Sequence, residues 1–114
     1  MALPELVKAG VKRDLGAYCE RRVPPHARHQ VRMGFSIRGN QVTLFEERAP
    51  YKGDGSWVQI PIAQLRWDPE QALWALYACD RNRRWFAYRY AEPVPHLGAL
   101  LGVLDADRTG IFWG

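Results

Sequence analysis

Eleven residues, DRNRRWFAYRY from Asp80 to Tyr90, hold four arginines and four aromatic rings. Guanidinium groups bind phosphate oxygens and aromatic faces stack on bases, so this composition suits a nucleic-acid surface. If Arg81-Asn82 forms a two-residue turn, Ala78 faces Trp85, Leu76 faces Ala87 and Trp74 faces Arg89. The pairs Tyr77/Phe86, Ala75/Tyr88 and Leu73/Tyr90 then share the opposite face. On that register Tyr77, Phe86 and Tyr88 make a stacking strip beside Arg81, Arg83, Arg84 and Arg89. A one-residue slip would exchange the partners and mix the two faces. The same residues also suit an ordinary hairpin with its arginines in water, and no RNP-like, helix-turn-helix, KH or zinc-finger signature accompanies them.

A second cluster, RRVPPHARHQVR, places Arg21, Arg22, His26, Arg28, His29 and Arg32 within twelve residues. It suits a second basic patch for nucleic acid, or general acid–base work by the histidines on an anionic substrate. Small ribonuclease toxins join a helix, an antiparallel sheet and such a cluster, so a toxin-like ribonuclease is the third reading; the likeness is one of architecture alone. No Ser/His/Asp or Cys/His set can be placed, no catalytic residue is assigned, and the balance leans away from an enzyme. Cys19 and Cys79 stand sixty residues apart without a CxxC, and their spacing to His26 and His29 matches no zinc finger or ribbon. DADRTG, from Asp105, resembles the first half of a calcium loop but lacks the glutamate at its twelfth position, so a turn or helix cap is expected. No metal site and no cofactor are expected. Ile111, Phe112 and Trp113 either dock on the chain's own core or, as Phe112 and Trp113 at an interface, anchor a homodimer or another protein.

These residues need elements to position them. LPELVKAGVKRDLGAYCERRV, residues 3–23, predicts an amphipathic helix, with Leu3, Val7, Val11, Leu15 and Tyr18 on one side and a stop at Val23 before Pro24-Pro25. VRMGFSIR alternates as a half-buried strand, and Gly39-Asn40 turns it into QVTLFEER. That hairpin sets Ile37 opposite Val42, Phe35 opposite Leu44 and Arg32 opposite Glu47. The loop APYKGDGS leads to a third strand, WVQIPIAQLRW, where Pro61 requires an edge position or a bulge. Asp68-Pro69-Glu70-Gln71 reads as a type I turn, ALWALYA as a fourth strand, and RWFAYRY as a fifth ended by Pro93 and Pro95. A short helix follows over residues 95–104, with Leu97, Leu100, Leu101 and Leu104 on one face. The expected fold is α+β: N-terminal helix, five-stranded antiparallel meander, short C-terminal helix and apolar tail, in a single domain spanning residues 1–114.

The 114 residues carry a formal charge of +4, and residues 1–38 hold eight of the 16 Lys and Arg against three acids. A basic half attracts phosphates, although a mixed-charge surface has the same counts. Without a run of about eighteen apolar residues or a secretory leader, no membrane partner is expected and the cytoplasm is the expected compartment. Together, CERRVPPHARHQVR, IRGNQVTLFEERAP, LWALYACDRNRRW and DADRTGIFWG resemble a small bacterial family of domains of unknown function, number 3024 in the domain catalogue. The resemblance covers nearly the whole chain and implies a free-standing single domain, with no activity, ligand or site residue. The family's turn often reads Asn-Gly where this chain has Asn82-Arg83. The leading functional expectation is a non-catalytic nucleic-acid-binding or accessory module. The alternative is a protein–protein interaction or homodimerisation domain using an exposed sheet face or the Phe112-Trp113 tail.

Overall fold

The first helix, α1 (Glu5–Arg22), forms where the apolar residues recur every three or four positions, and it buries Val11, Leu15, Tyr18 and Cys19. The structure, a computed structural model, describes residues 2–50 and 55–114. Pro4 stands just before α1 and its carbonyl accepts the Lys8 N–H at 2.8 Å, a place where a proline forfeits no helical hydrogen bond. Val23 turns the backbone extended ahead of Pro24, and a single 3-10 turn (Pro25–Ala27) follows. Arg28 then reaches back to the last turn of α1, donating to the Glu20 carbonyl at 3.3 Å and the Val23 carbonyl at 3.4 Å. Those carbonyls would otherwise lack partners.

Strands β1 (Val31–Arg38) and β2 (Gln41–Arg48) form the hairpin expected around Gly39-Asn40, with Gly39 at φ +62°. Ile37 lies opposite Val42, Phe35 opposite Leu44 and Arg32 opposite Glu47, as the alternation requires. The Asn40 carbonyl accepts the Trp67 N–H at 3.0 Å while its Nδ2 donates to the Trp67 carbonyl at 2.7 Å, tying the hairpin tip to the far end of the next strand. That strand, β3 (Val58–Asp68), is central, and the register slips at Phe45/Pro61. The bulge accommodates the proline that cannot donate, and it brings Ile62 and Ala63 in succession into the core. Part of the preceding loop, residues 51–54, lies outside the described residues.

Asp68 accepts the amides of Glu70 and Gln71, and the turn delivers the chain into β4 (Leu73–Cys79). The last hairpin departs from the expected register. Five residues, Asp80–Arg84, form its loop, and β5 (Trp85–Ala87) pairs Cys79 with Trp85, Ala78 with Phe86 and Tyr77 with Ala87. The reason lies in Asp80 and Arg83. One Asp80 carboxylate oxygen takes the N–H groups of Asn82 and Arg84 at 2.8 and 2.9 Å, and Arg83 adopts φ +63°. This self-contained turn is longer than two residues, so every later side chain changes face. After Ala87 the chain leaves the ladder, and Val94 rather than Arg89 returns to bridge Trp74.

Helix α2 (Leu97–Ala106) turns Leu97, Leu100, Leu101 and Leu104 inward and ends at Asp107, which is left-handed at φ +40°. The sheet order is β1-β2-β3-β4-β5. Both helices and the tail pack on one side of it, in a single cluster with Val42, Leu44, Leu65, Trp67, Trp74, Leu76 and Ala78. Each of the fully buried leucines contributes roughly 1.5–3 kcal/mol. The fold is therefore α+β, as the sequence implies. Among the described residues no helix is long and apolar enough to cross a membrane.

Candidate functional site

Alternation along the strands leaves a second side of the sheet that, among the described residues, no helix covers. The register places Arg32 and Arg38 of β1, Thr43 and Phe45 of β2, Gln64 and Arg66 of β3, Tyr77 of β4 and Trp85 of β5 on that side. The Phe45 ring lies over Gly34, 3.0 Å from where a Cβ would stand, so this close approach needs a glycine. Gln64 is buried in mid-sheet yet satisfied, because its Nε2 donates to Thr43 Oγ1 at 3.0 Å and its Oε1 accepts from Arg66 Nε at 2.8 Å. The same Arg66 guanidinium stacks 3.8 Å from the centre of the Tyr77 ring, and Arg32 stacks 3.6 Å from that of Trp57. Beside this network lies a hollow of about 500 Å³ bounded by Arg38, Phe45, Gln64, Arg83 and Trp85. Four guanidinium groups and four rings thus occupy one surface. Among the described residues the strands place two carboxylates on this side, Glu47 and Asp68, and Asp68 is engaged by its own turn.

The strip expected from Tyr77, Phe86 and Tyr88 is not assembled, because the longer loop divides it. Tyr77 belongs to the uncovered side, whereas Phe86, paired with Ala78, faces the helical side. Tyr88 is buried there, its ring 4.9 Å from Phe112, with its hydroxyl 3.4 Å from Thr109 Oγ1. Of the hairpin arginines, Arg83 borders the hollow, Arg81 and Arg84 are exposed on the loop, and Arg89 lies beside Tyr90, 5.4 Å from its ring centre. The alternation that found the first hairpin marks Arg38 and Phe45 as uncovered too. Finding Trp85 and Arg66 also required the lengths of the Pro61 bulge and the Asp80 loop.

Within the second basic cluster, Arg21, Arg22 and Arg28 make contacts inside the molecule. Asp105 of α2 accepts the Tyr18 hydroxyl at 2.9 Å and ion-pairs with Arg22 at 3.5 Å and Arg21 at 3.7 Å. Arg22 also stacks 3.9 Å from the Trp113 ring centre, and Arg28 caps α1 as described above. Of the expected patch, only Arg32 reaches the uncovered side of the sheet. His26 and His29 are exposed on the 3-10 turn and just beyond it. Burial, reinforced by the Asp105 hydrogen bond and charge and opposed by Arg22 and Arg21, pushes the Tyr18 phenol above its usual range. Burial pushes the Cys19 thiol up to about 11 and raises Cys79 as well, there with help from the Asp80 carboxylate and against Arg83.

The tail folds back on the chain. The Asp107 carboxylate accepts the amides of Phe112 at 3.1 Å and Trp113 at 2.9 Å, and Trp113 Nε1 donates to the Leu104 carbonyl at 2.9 Å. Phe112 is buried in the core, so it is not an exposed anchor for a partner, and Trp113 is half-buried beneath Arg22. Asp105 and Asp107 are therefore spent on a clamp and a cap. Among the described residues, no three His, Cys, Asp or Glu side chains converge as metal ligands.

No curated protein and no solved structure matches the chain. A family model does match, that of the domain of unknown function DUF3024, and it spans residues 3–114, which include both helices, all five strands and the tail. The chain belongs to the DUF3024 family.

Proposed function

We propose that the protein is a non-catalytic module that binds single-stranded nucleic acid on the uncovered side of its sheet. The observation that carries this reading is the interleaving of arginines and rings on that side: Arg38, Arg83, Phe45 and Trp85 border one hollow, and beside it Arg32 stacks on Trp57 and Arg66 on Tyr77. Rings on an open sheet offer faces to unstacked bases, while guanidinium groups meet the backbone phosphates. The hydrogen bond from the half-buried Arg66 to the buried Gln64 restrains the platform, so less side-chain freedom is lost on binding. Arg83 adds a second indication. A non-glycine residue at φ +63° costs roughly 1 kcal/mol, and strain of this kind gathers at functional sites.

The test is fluorescence anisotropy with a labelled single-stranded oligonucleotide at low ionic strength. Affinity is expected to fall steeply with salt, and Arg38→Glu/Arg83→Glu to weaken binding by about tenfold or more, with a shallower salt slope. Arg81→Glu/Arg89→Glu, off the platform, is expected to weaken it much less. Absence of binding at low salt ends this reading. Equal losses from the two double variants would reduce it to diffuse attraction by a basic chain.

A homodimer is the second reading, favoured by one patch. Phe86, Tyr90 and Ile111 are each about two-fifths exposed around a hollow of about 400 Å³ on the helical side of β5. Sedimentation at high concentration tests it, with Phe86→Lys expected to abolish any dimer. A strictly monomeric parent protein excludes it.

A further inference from the structure

Strand β1 ends the sheet, and its eight residues, Val31–Arg38, present an outer edge that, among the described residues, no other strand pairs. Natural sheets guard their edges by shortness, proline, bulges or charge. At the opposite end of this sheet β5 is only three residues long, but β1 is long, free of proline and paired with β2 without a break in register. Its guard is charge of one sign. Arg32 and Arg38 stand on the strand and Arg28 just before it.

Between β1 and α1 runs a groove of about 420 Å³. Gly16, Cys19 and Val23 form its helical wall, and Met33 and Phe35 its strand wall. Arg28 and Arg32 border it, with Glu20 as the carboxylate on its rim. An unpaired strand edge fixes the backbone of whatever fills it, because only an extended chain meets alternating N–H and C=O groups at strand spacing. The walls accept an apolar side chain at every second position, and the arginines favour carboxylates at the others.

We propose that β1 pairs with an extended acidic segment of a partner protein, which adds a sixth strand and seats its apolar side chains against α1. A second copy of this chain fits poorly. Antiparallel self-pairing that keeps the buried sides aligned centres on a residue, and the registers that pair most of the strand centre on Gly34 or Phe35. Centring on Phe35 sets Arg32 directly opposite Arg38 twice, and centring on Gly34 still brings two arginine-bearing edges together. This edge shares Arg32 and Arg38 with the sheet side assigned to nucleic acid, but its test reads the amides of β1 and stands or falls without that assignment.

The test starts from a displayed library of random peptides about eight residues long, selected on the intact protein. The expected winners alternate apolar and other residues and carry net negative charge. Added as a synthetic peptide, a winner should slow amide hydrogen exchange along Val31–Arg38. The same peptide with lysine for each acidic residue should bind about tenfold more weakly or worse. N-methylation of alternate amides facing the edge should abolish binding. The proposal is overturned if no peptides enrich, if the winners are neutral or basic, if exchange along β1 is unchanged, or if the N-methylated peptide binds equally well. Because these comparisons vary the peptide, none depends on an Arg28 variant that would also uncap α1.

Discussion

Arg83 holds a backbone conformation that a glycine adopts freely, and its side chain borders the hollow among the rings. Arg83→Gly is expected to stabilise the fold by about 1 kcal/mol, raising the melting temperature by several degrees, while lowering oligonucleotide affinity. Thermal melts and anisotropy on one preparation check both halves; a more stable variant with unchanged affinity would separate the strain from binding. Asp105 has the opposite character, since its loss strands the Tyr18 hydroxyl in the core. Asp105→Ala is expected to cost roughly 1–3 kcal/mol in urea unfolding, mostly from that hydroxyl, because the ion pairs to Arg21 and Arg22 are partly exposed.

At the scale of elements, the buried side of α1 makes stability depend on alkaline pH. Folding raises the Cys19 thiol from its ordinary value of 9.0 to about 11, so over that interval the folded protein keeps a proton that the unfolded chain releases. The Cys19 contribution to stability is fully present below pH 9 and is lost as pH rises towards 11, an amount on the order of 2 kcal/mol. Denaturant titrations at pH 8 and 10.5 on the parent and Cys19→Ala check this, and the variant should lose less between the two. The elements themselves were legible because their patterns are local. Val7–Tyr18 repeats at helical spacing, Gly39-Asn40 closes a hairpin of known length, and Pro61 announces its bulge. Asp80–Arg84 was not legible in the same way. Whether Asn82 turns a loop of two residues or five depends on which amides the Asp80 carboxylate captures, and the side assigned to Phe86 and Tyr88 follows from that choice.

For the whole molecule, the two sides of the sheet divide the labour. One side is spent on the core, at whose margin Arg21 and Arg22, read from sequence as part of a binding patch, join α1 to α2 and the tail while Arg28 caps α1. Composition could not separate these arginines from Arg32, Arg38 and Arg66, because their partners, Asp105, Trp113, Trp57 and Tyr77, are distant in sequence or brought near only by pairing. The division predicts that substitutions fall into two classes. Tyr77→Ala should weaken oligonucleotide binding severalfold with a modest effect on melting, whereas Leu100→Ala should lower stability by about 2–5 kcal/mol.

The hydrogen bond from Tyr18 to Asp105 spans 87 positions of the chain, whereas every strand pairs with the one made just before or after it. During synthesis the hairpins can therefore zip in order of emergence, each closing a short loop. Helix α1 precedes all five strands in the chain yet is the last of these elements to find its anchor. Pulse-labelled refolding should show protection arriving along β2 and β3 before it arrives along α1.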